Sequence, residues 1–146
     1  MTARRIFTIG YEGSTQAELI AALGKAGVER VIDVRAVPNS RKPGFSKNML
    51  AAGLREAGID YVHLRALGTP PEGREAARKG RHDVMERVYA AQLETPEAGA
   101  EAARMVALAE EKPSALLCFE RNPAECHRTL LRDSVMPDAE VVDLYA

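Results

Sequence analysis

The run Val31-Ile32-Asp33-Val34 decides the reading of the fold. It is short, rich in β-branched residues and continuous rather than alternating in polarity, as a strand is when both of its faces are covered; that is the mark of a parallel sheet flanked by helices. Upstream, Arg5-Ile6-Phe7-Thr8-Ile9-Gly10 reads as a first strand closed by the turn Tyr11-Glu12-Gly13-Ser14. Between the two strands a helix is expected. Thr15 with Glu18 fits a capping box, Leu19, Ile20 and Leu23 form an apolar stripe, and Gly27 is a left-handed stop.

Downstream, Pro38, Asn39, Pro43 and Gly44 make Arg35 to Ser46 irregular, and Ser46 is expected to cap a helix from Lys47 to Ala57 that Gly58 ends. Ile59 to Leu64 gives a third strand, and Arg65 to Gly80, rich in Gly, Pro and Arg, reads as a second long loop. His82 to Leu93 reads as a helix, and Thr95-Pro96 opens another that runs to about Glu110. Ser114 to Phe119 is a strand, Asn122-Pro123 with Glu125 starts a helix to about Val135, and Val141 to Leu144 is a last strand. This order predicts a single three-layer α/β domain whose mostly parallel sheet, of about five strands, carries helices on both faces. Loops leaving the carboxyl ends of parallel strands open on one edge. Tyr11 to Ser14, Arg35 to Lys47, Arg65 to Arg81 and Glu120 to Arg128 are therefore expected around one crevice.

The chain has 146 residues, of which 46% are hydrophobic, within the range of one domain that needs no staples. Two cysteines are too few for a disulfide framework, Met1 to Arg5 has no secretory character, and no apolar run approaches a bilayer span, so a cytoplasmic protein away from membranes is expected. With 20 Lys+Arg against 21 Asp+Glu, bulk charge does not make a general nucleic-acid binder. The distribution says more. Val34 to Leu54 contains no acid but carries Arg35, Arg41, Lys42 and Lys47, and Arg65, Arg74, Arg78, Lys79 and Arg81 follow with only Glu72 and Glu75 among them. A neutral chain can thus present a basic face to an anionic partner.

Cys118-Phe119-Glu120-Arg121-Asn122-Pro123-Ala124-Glu125-Cys126-His127-Arg128 joins an apolar strand to a helix start, where free N–H groups and the helix dipole attract an anion. Cys126 in that first turn, beside His127 and Arg128, has the surroundings of a reactive thiolate; the alternative is that Cys118 and Cys126 are small buried hydrophobes. Cys118, Cys126, His127 and His63 are also potential metal ligands, but adjacent helical positions point about 100° apart, so no metal site is assigned. Asp33 and Arg35 lie on one side of an extended chain, where the acid either serves a ligand or ties its own loop. Arg41 and Lys47 around Phe45 suit a phosphate with a stacked base, or form a solvated basic loop. His63 at the end of the third strand is a structural histidine or a catalyst. His82 receives no role.

With those residues collected, the chain resembles, over nearly its full length, the bacterial and archaeal family catalogued as domain of unknown function family 488. The resemblance rests on Thr8-Ile9-Gly10-Tyr11-Glu12-Gly13, on Asp33-Val34-Arg35 with Pro38, Ser40, Arg41, Pro43 and Phe45, on Tyr61-Val62-His63-Leu64 with Leu67-Gly68, and on Cys118-Phe119-Glu120 with Cys126-His127-Arg128. Thr69 stands where the family usually has a second glycine. The resemblance implies an α/β fold and a shared site, and supplies no reaction. A weaker similarity is to rhodanese-like sulfurtransferases, through the Asp-Val-Arg after a strand and a cysteine at a strand end. It departs at the cradle loop, where Arg121 is too near Cys118 and Arg128 too far.

The leading expectation is an enzyme, or enzyme-like binder, of a phosphate-bearing ligand such as a nucleotide or a nucleic-acid end. Arg35, Arg41, Lys47 and Arg128 with the Pro123 helix start are expected to hold the anion, Glu120, Asp33 or His63 to move protons, and Tyr11, Glu12, Gly13, Ser40, Phe45, Cys118 and His127 to complete the ligand site. No cofactor is expected. Two other classes remain open: a cysteine-dependent sulfur or redox enzyme centred on Cys126, and a non-catalytic nucleic-acid adaptor using the basic loops.

Overall fold

The computed structural model describes residues 5–122 and 127–146. Its strands are β1 Arg5–Gly10, β2 Arg30–Asp33, β3 Asp60–His63, β4 Ser114–Cys118 and β5 Glu140–Tyr145. Its helices are α1 Gln16–Lys25, α2 Lys47–Glu56, α3 Pro71–Arg78, α4 His82–Leu93, α5 Pro96–Glu111 and α6 His127–Val135, with a 3-10 turn at Arg65–Leu67. The strands form one sheet in the order β3-β2-β4-β1-β5, and every pairing is parallel.

Parallel neighbours need crossovers, and right-handed crossovers put a helix on one face when the chain steps one way along the sheet and on the other when it steps back. The two cores follow that rule. On one face, Phe7, Ile9, Val31, Ala115 and Leu117 pack with Leu19 and Leu23 of α1 and Leu50 and Leu54 of α2. On the other, Ile6, Ile32 and Leu116 pack with Ala76 of α3, Met85 and Tyr89 of α4, Met105 of α5 and Leu131 of α6. The continuous apolar character of β2 is explained: Val31 and Ile32 face opposite cores.

Local signals behave as their chemistry demands. The Thr15 hydroxyl accepts from the Glu18 N–H at 3.1 Å while the Glu18 carboxylate accepts from the Thr15 N–H at 2.8 Å, a complete capping box. Gly27, at φ 79°, takes the left-handed turn after α1. Strand and helix limits fall within a residue or two of the sequence reading, as end-fraying allows.

Two expectations are corrected. Arg65 to Gly80 is not a loop throughout but holds the 3-10 turn and α3. Pro71 occupies the first turn of α3, where no N–H is needed, and Gly73 sits where a Cβ would come within 2.6 Å of Thr69 Cγ2, so residues that look like breakers are there for a helix start and a close contact. Ser46 precedes α2 but makes no side-chain cap bond; its hydroxyl donates to Ser40 O and accepts from Ser40 N–H, both at 3.1 Å, closing the loop instead. The expected helix start at Pro123 lies outside the described residues.

Candidate ligand site at the carboxyl edge

The loops after β1, β2 and β4 are stitched together by main-chain bonds. Tyr11 N–H donates to Cys118 O at 3.2 Å, Glu12 N–H to Phe119 O at 2.8 Å, and Val34 N–H to Leu117 O at 3.2 Å. The Glu12 carboxylate accepts from Arg121 N–H at 3.1 Å. The β1 and β4 loops approach so closely that a Cβ at Gly10 would stand 1.7 Å from Glu120 O. Stretches far apart in sequence therefore share one rim.

Beneath that rim lies a closed polar network. The fully buried Asp33 carboxylate accepts from Arg35 Nε at 2.9 Å, Arg35 Nη2 at 2.7 Å, the Arg35 N–H at 3.1 Å and the Tyr61 hydroxyl at 2.5 Å. Arg35 Nη1 donates to Phe45 O at 2.7 Å and to the Tyr11 hydroxyl at 3.3 Å. Burial works against the Arg35 charge, but the hydrogen bonds and charge of Asp33 outweigh it and hold the guanidinium above its ordinary range. Burial, and then the Asp33 charge, push the Tyr61 phenol up, so it remains a donor. Asp33 thus ties its own loop, and its proton-accepting capacity is taken up by the fold.

Phe45 is corrected as well. It is fully buried with its ring stacked on Tyr11 at 4.5 Å, and the Lys42 ammonium lies 5.6 Å from its centroid, so it offers no face to a base. Ser40 accepts from Lys42 N–H and closes its loop with Ser46, Gly13 takes a positive φ of 77° in an exposed turn, and Arg41 and Lys47 point into solvent on that flank.

From the far side, α6 and β3 pin the same loops. Arg128 is fully buried, donating from Nη1 to Glu120 O at 2.6 Å and Cys118 Sγ at 2.9 Å, and from Nη2 to Arg121 O at 3.0 Å. Its Nε has no hydrogen-bond partner among the described residues, and burial lowers the pKa of the guanidinium. His127 Nε2 donates to Val34 O and His63 Nε2 to Arg35 O, both at 2.7 Å, because a carbonyl only accepts and so assigns a proton to Nε2 of each ring. Burial, reinforced by the Arg128 charge, pushes His127 down to about 4, against the opposing effects of the Val34 bond and Asp33. Cys126, expected as a nucleophile, lies outside the described residues. Among the described residues no group of His, Cys, Asp and Glu is placed to hold a metal ion, and no helix is long and apolar enough to cross a membrane.

Above the network opens a cavity of about 720 Å³. One wall comes from the strand ends and the loops after them, Tyr11, Arg35, Val37, Cys118, Phe119 and Glu120, with His127 from the start of α6. The other comes from Arg74, Ala77 and Arg78 of α3 and His82 and Met85 of α4. Of the expected site residues, Tyr11, Arg35, Cys118, Glu120 and His127 reach this cavity; Glu12, Gly13, Asp33, Ser40, Arg41, Phe45, Lys47, His63 and Arg128 are not among its lining residues. The additions are Arg74, Arg78, His82 and Phe119. The four-residue spacing of Arg74 and Arg78 puts them on one side of α3, a signal present in the basic tract but hidden while that tract reads as a loop, and His82 follows at the start of α4. Among the described residues neither Arg74 nor Arg78 has an ion-pair partner within bonding distance, so this wall is cationic, with Glu120 opposite.

A family model described as domain of unknown function DUF488 matches residues 15–135. No curated protein and no solved structure matches the chain.

Proposed function

We propose that this chain, which belongs to the DUF488 family, binds a phosphate-bearing ligand in the carboxyl-edge cavity and acts on it there. The observation that carries the reading is the pair of guanidiniums, Arg74 and Arg78, that open on a cavity of about 720 Å³ without a carboxylate partner among the described residues. Unpaired arginines at a concave site favour oxyanions, because a guanidinium meets two phosphate oxygens at once. A volume of this order is that of a small-molecule site.

Roles follow from what the fold leaves available. Arg35, Arg128, Asp33 and His63 have their groups turned onto protein partners and hold the loops that line the cavity, so the anion-holding role passes to Arg74 and Arg78. Among the described residues Glu120 is the carboxylate lining the cavity, and its main chain is fixed by Arg128, which supports it as the group that takes or gives a proton.

The test is a thermal-shift screen of the wild type and the Arg74→Ala, Arg78→Ala and Glu120→Gln variants with inorganic phosphate, phosphosugars and nucleotides. A ligand at about 100 times its Kd stabilises by about 2.7 kcal/mol. The expected result is a stabilising phosphate compound whose effect fades in both arginine variants and persists in Glu120→Gln with turnover lost. A shift that survives in both arginine variants, or no shift with any phosphate compound, contradicts the reading.

A further inference from the structure

We infer that the ligand carries a planar nucleobase, held against Phe119, so that the substrate class is a nucleoside monophosphate group, either free or at the end of a single strand. The inference rests on the phosphate reading and adds a second point of attachment to it. Phe119 is a large aromatic left 46% exposed, and Val37 is left 48% exposed; both line the cavity that carries Arg74 and Arg78. Scattered exposed apolar side chains need no explanation, but two on the wall of one cationic cavity form a patch of mixed chemistry. A nucleotide matches it, with a flat apolar ring at one end and a dianion at the other.

Phe119 is also built as a platform. Its carbonyl accepts from Glu12 N–H at 2.8 Å, and the next carbonyl, Glu120 O, accepts from the buried Arg128 at 2.6 Å, so the backbone on which the ring stands is fixed. The ring meets Tyr11 edge-to-face, centroids 5.4 Å apart at 78°, and Tyr11 is itself buried and stacked on Phe45. An exposed aromatic held by a buried one loses little freedom when a base settles on it. Stacking tolerates any base, so the inference specifies a nucleobase and not its identity. Phosphosugars lack the ring and gain nothing from this surface.

The test is isothermal titration at fixed salt of adenosine monophosphate, cytidine monophosphate, ribose 5-phosphate and a 5′-phosphorylated single-stranded trinucleotide. The proteins are the wild type, Phe119→Ala, Phe119→Trp and the Arg74→Ala/Arg78→Ala double variant. Mononucleotides are expected to bind roughly 5- to 150-fold more tightly than ribose 5-phosphate. Phe119→Ala should erase that difference while leaving ribose 5-phosphate unchanged, and Phe119→Trp should keep it. A trinucleotide tighter than the mononucleotides identifies a strand end as the source, and one that is equal or weaker identifies the free nucleotide; either sustains the inference. Ribose 5-phosphate binding as tightly as the nucleotides, or a nucleotide Kd unmoved by Phe119→Ala, overturns it. If the double variant still abolishes binding in that case, the phosphate reading survives alone, whereas phosphate compounds that fail to bind the wild type remove both.

Discussion

Arginines at the carboxyl edge divide into two kinds. Arg35 and Arg128 are buried and direct their donors at Asp33, the Tyr11 hydroxyl, the Cys118 sulfur and main-chain carbonyls. Arg74 and Arg78 stand on α3 over the cavity, partly or fully exposed, with no ion pair among the described residues. A buried guanidinium is tolerable when most of its donors are answered, so the first pair is committed to the fold. The second pair keeps its charge where a ligand can reach it. Proximity to a conspicuous sequence pattern does not separate the two kinds, but burial and hydrogen-bond partners do.

The comparison breaks most visibly at Asp33. Replacing it with alanine leaves Arg35 buried without its carboxylate, and the loss expected in urea unfolding is roughly 3–5 kcal/mol. Replacing Arg35 by leucine in the same chain should recover part of that loss, because the uncompensated charge goes with it. A single Asp33→Ala variant as stable as the wild type would show that the network is not what holds the β1, β2 and β4 loops together.

Arg128→Ala should come next, at roughly 3 kcal/mol, since it opens a void and strands the Glu120 and Arg121 carbonyls. Arg74→Ala and Arg78→Ala, measured in the same way, should stay within about 0.5 kcal/mol of the wild type. Equal losses in the two pairs would erase the distinction.

The dependence of stability on pH also sharpens the comparison. His127 is neutral in the folded chain because burial holds it at about 4, below its ordinary value near 6.5. The unfolded chain therefore binds the extra proton between those values, so the contribution is fully present above about 6.5 and is lost as pH falls towards 4, by roughly 2–3 kcal/mol in all. His127→Gln keeps a donor for Val34 O and should flatten this part of the profile. A wild-type profile with the same slope as the variant would place the acid sensitivity elsewhere.

Much of the frame is legible in the residues. The unbroken apolar character around Asp33 announces a parallel sheet, and the Thr15 and Thr95 caps mark their helices, each by a local signal that needs no tertiary partner. The gathering of distant loops at one edge follows from the parallel run of the strands, and the handedness of the crossovers settles only which face each helix covers. What stays hidden is non-local. Phe45 and Phe119 are indistinguishable as residue types, yet one is sealed beneath Tyr11 and the other faces the cavity, because sheet neighbours decide which aromatic finds cover. α3 escapes notice because Pro70, Pro71 and Gly73 look like punctuation until Thr69 and Val88 show why a small residue is needed there. Arg74 and Arg78 therefore read as loop charges, and the anion-binding role falls on the more conspicuous Arg35 and Arg128.

Calorimetric titration of adenosine monophosphate into the Arg74→Ala/Arg78→Ala double variant, with urea unfolding of the same sample, tests the division most directly. The two-kinds account requires affinity to fall by at least about 10-fold while the unfolding midpoint stays in place. Undiminished affinity in the double variant, with binding lost instead in Arg41→Ala or Lys47→Ala, would contradict it and move the anion site to the other flank of the rim.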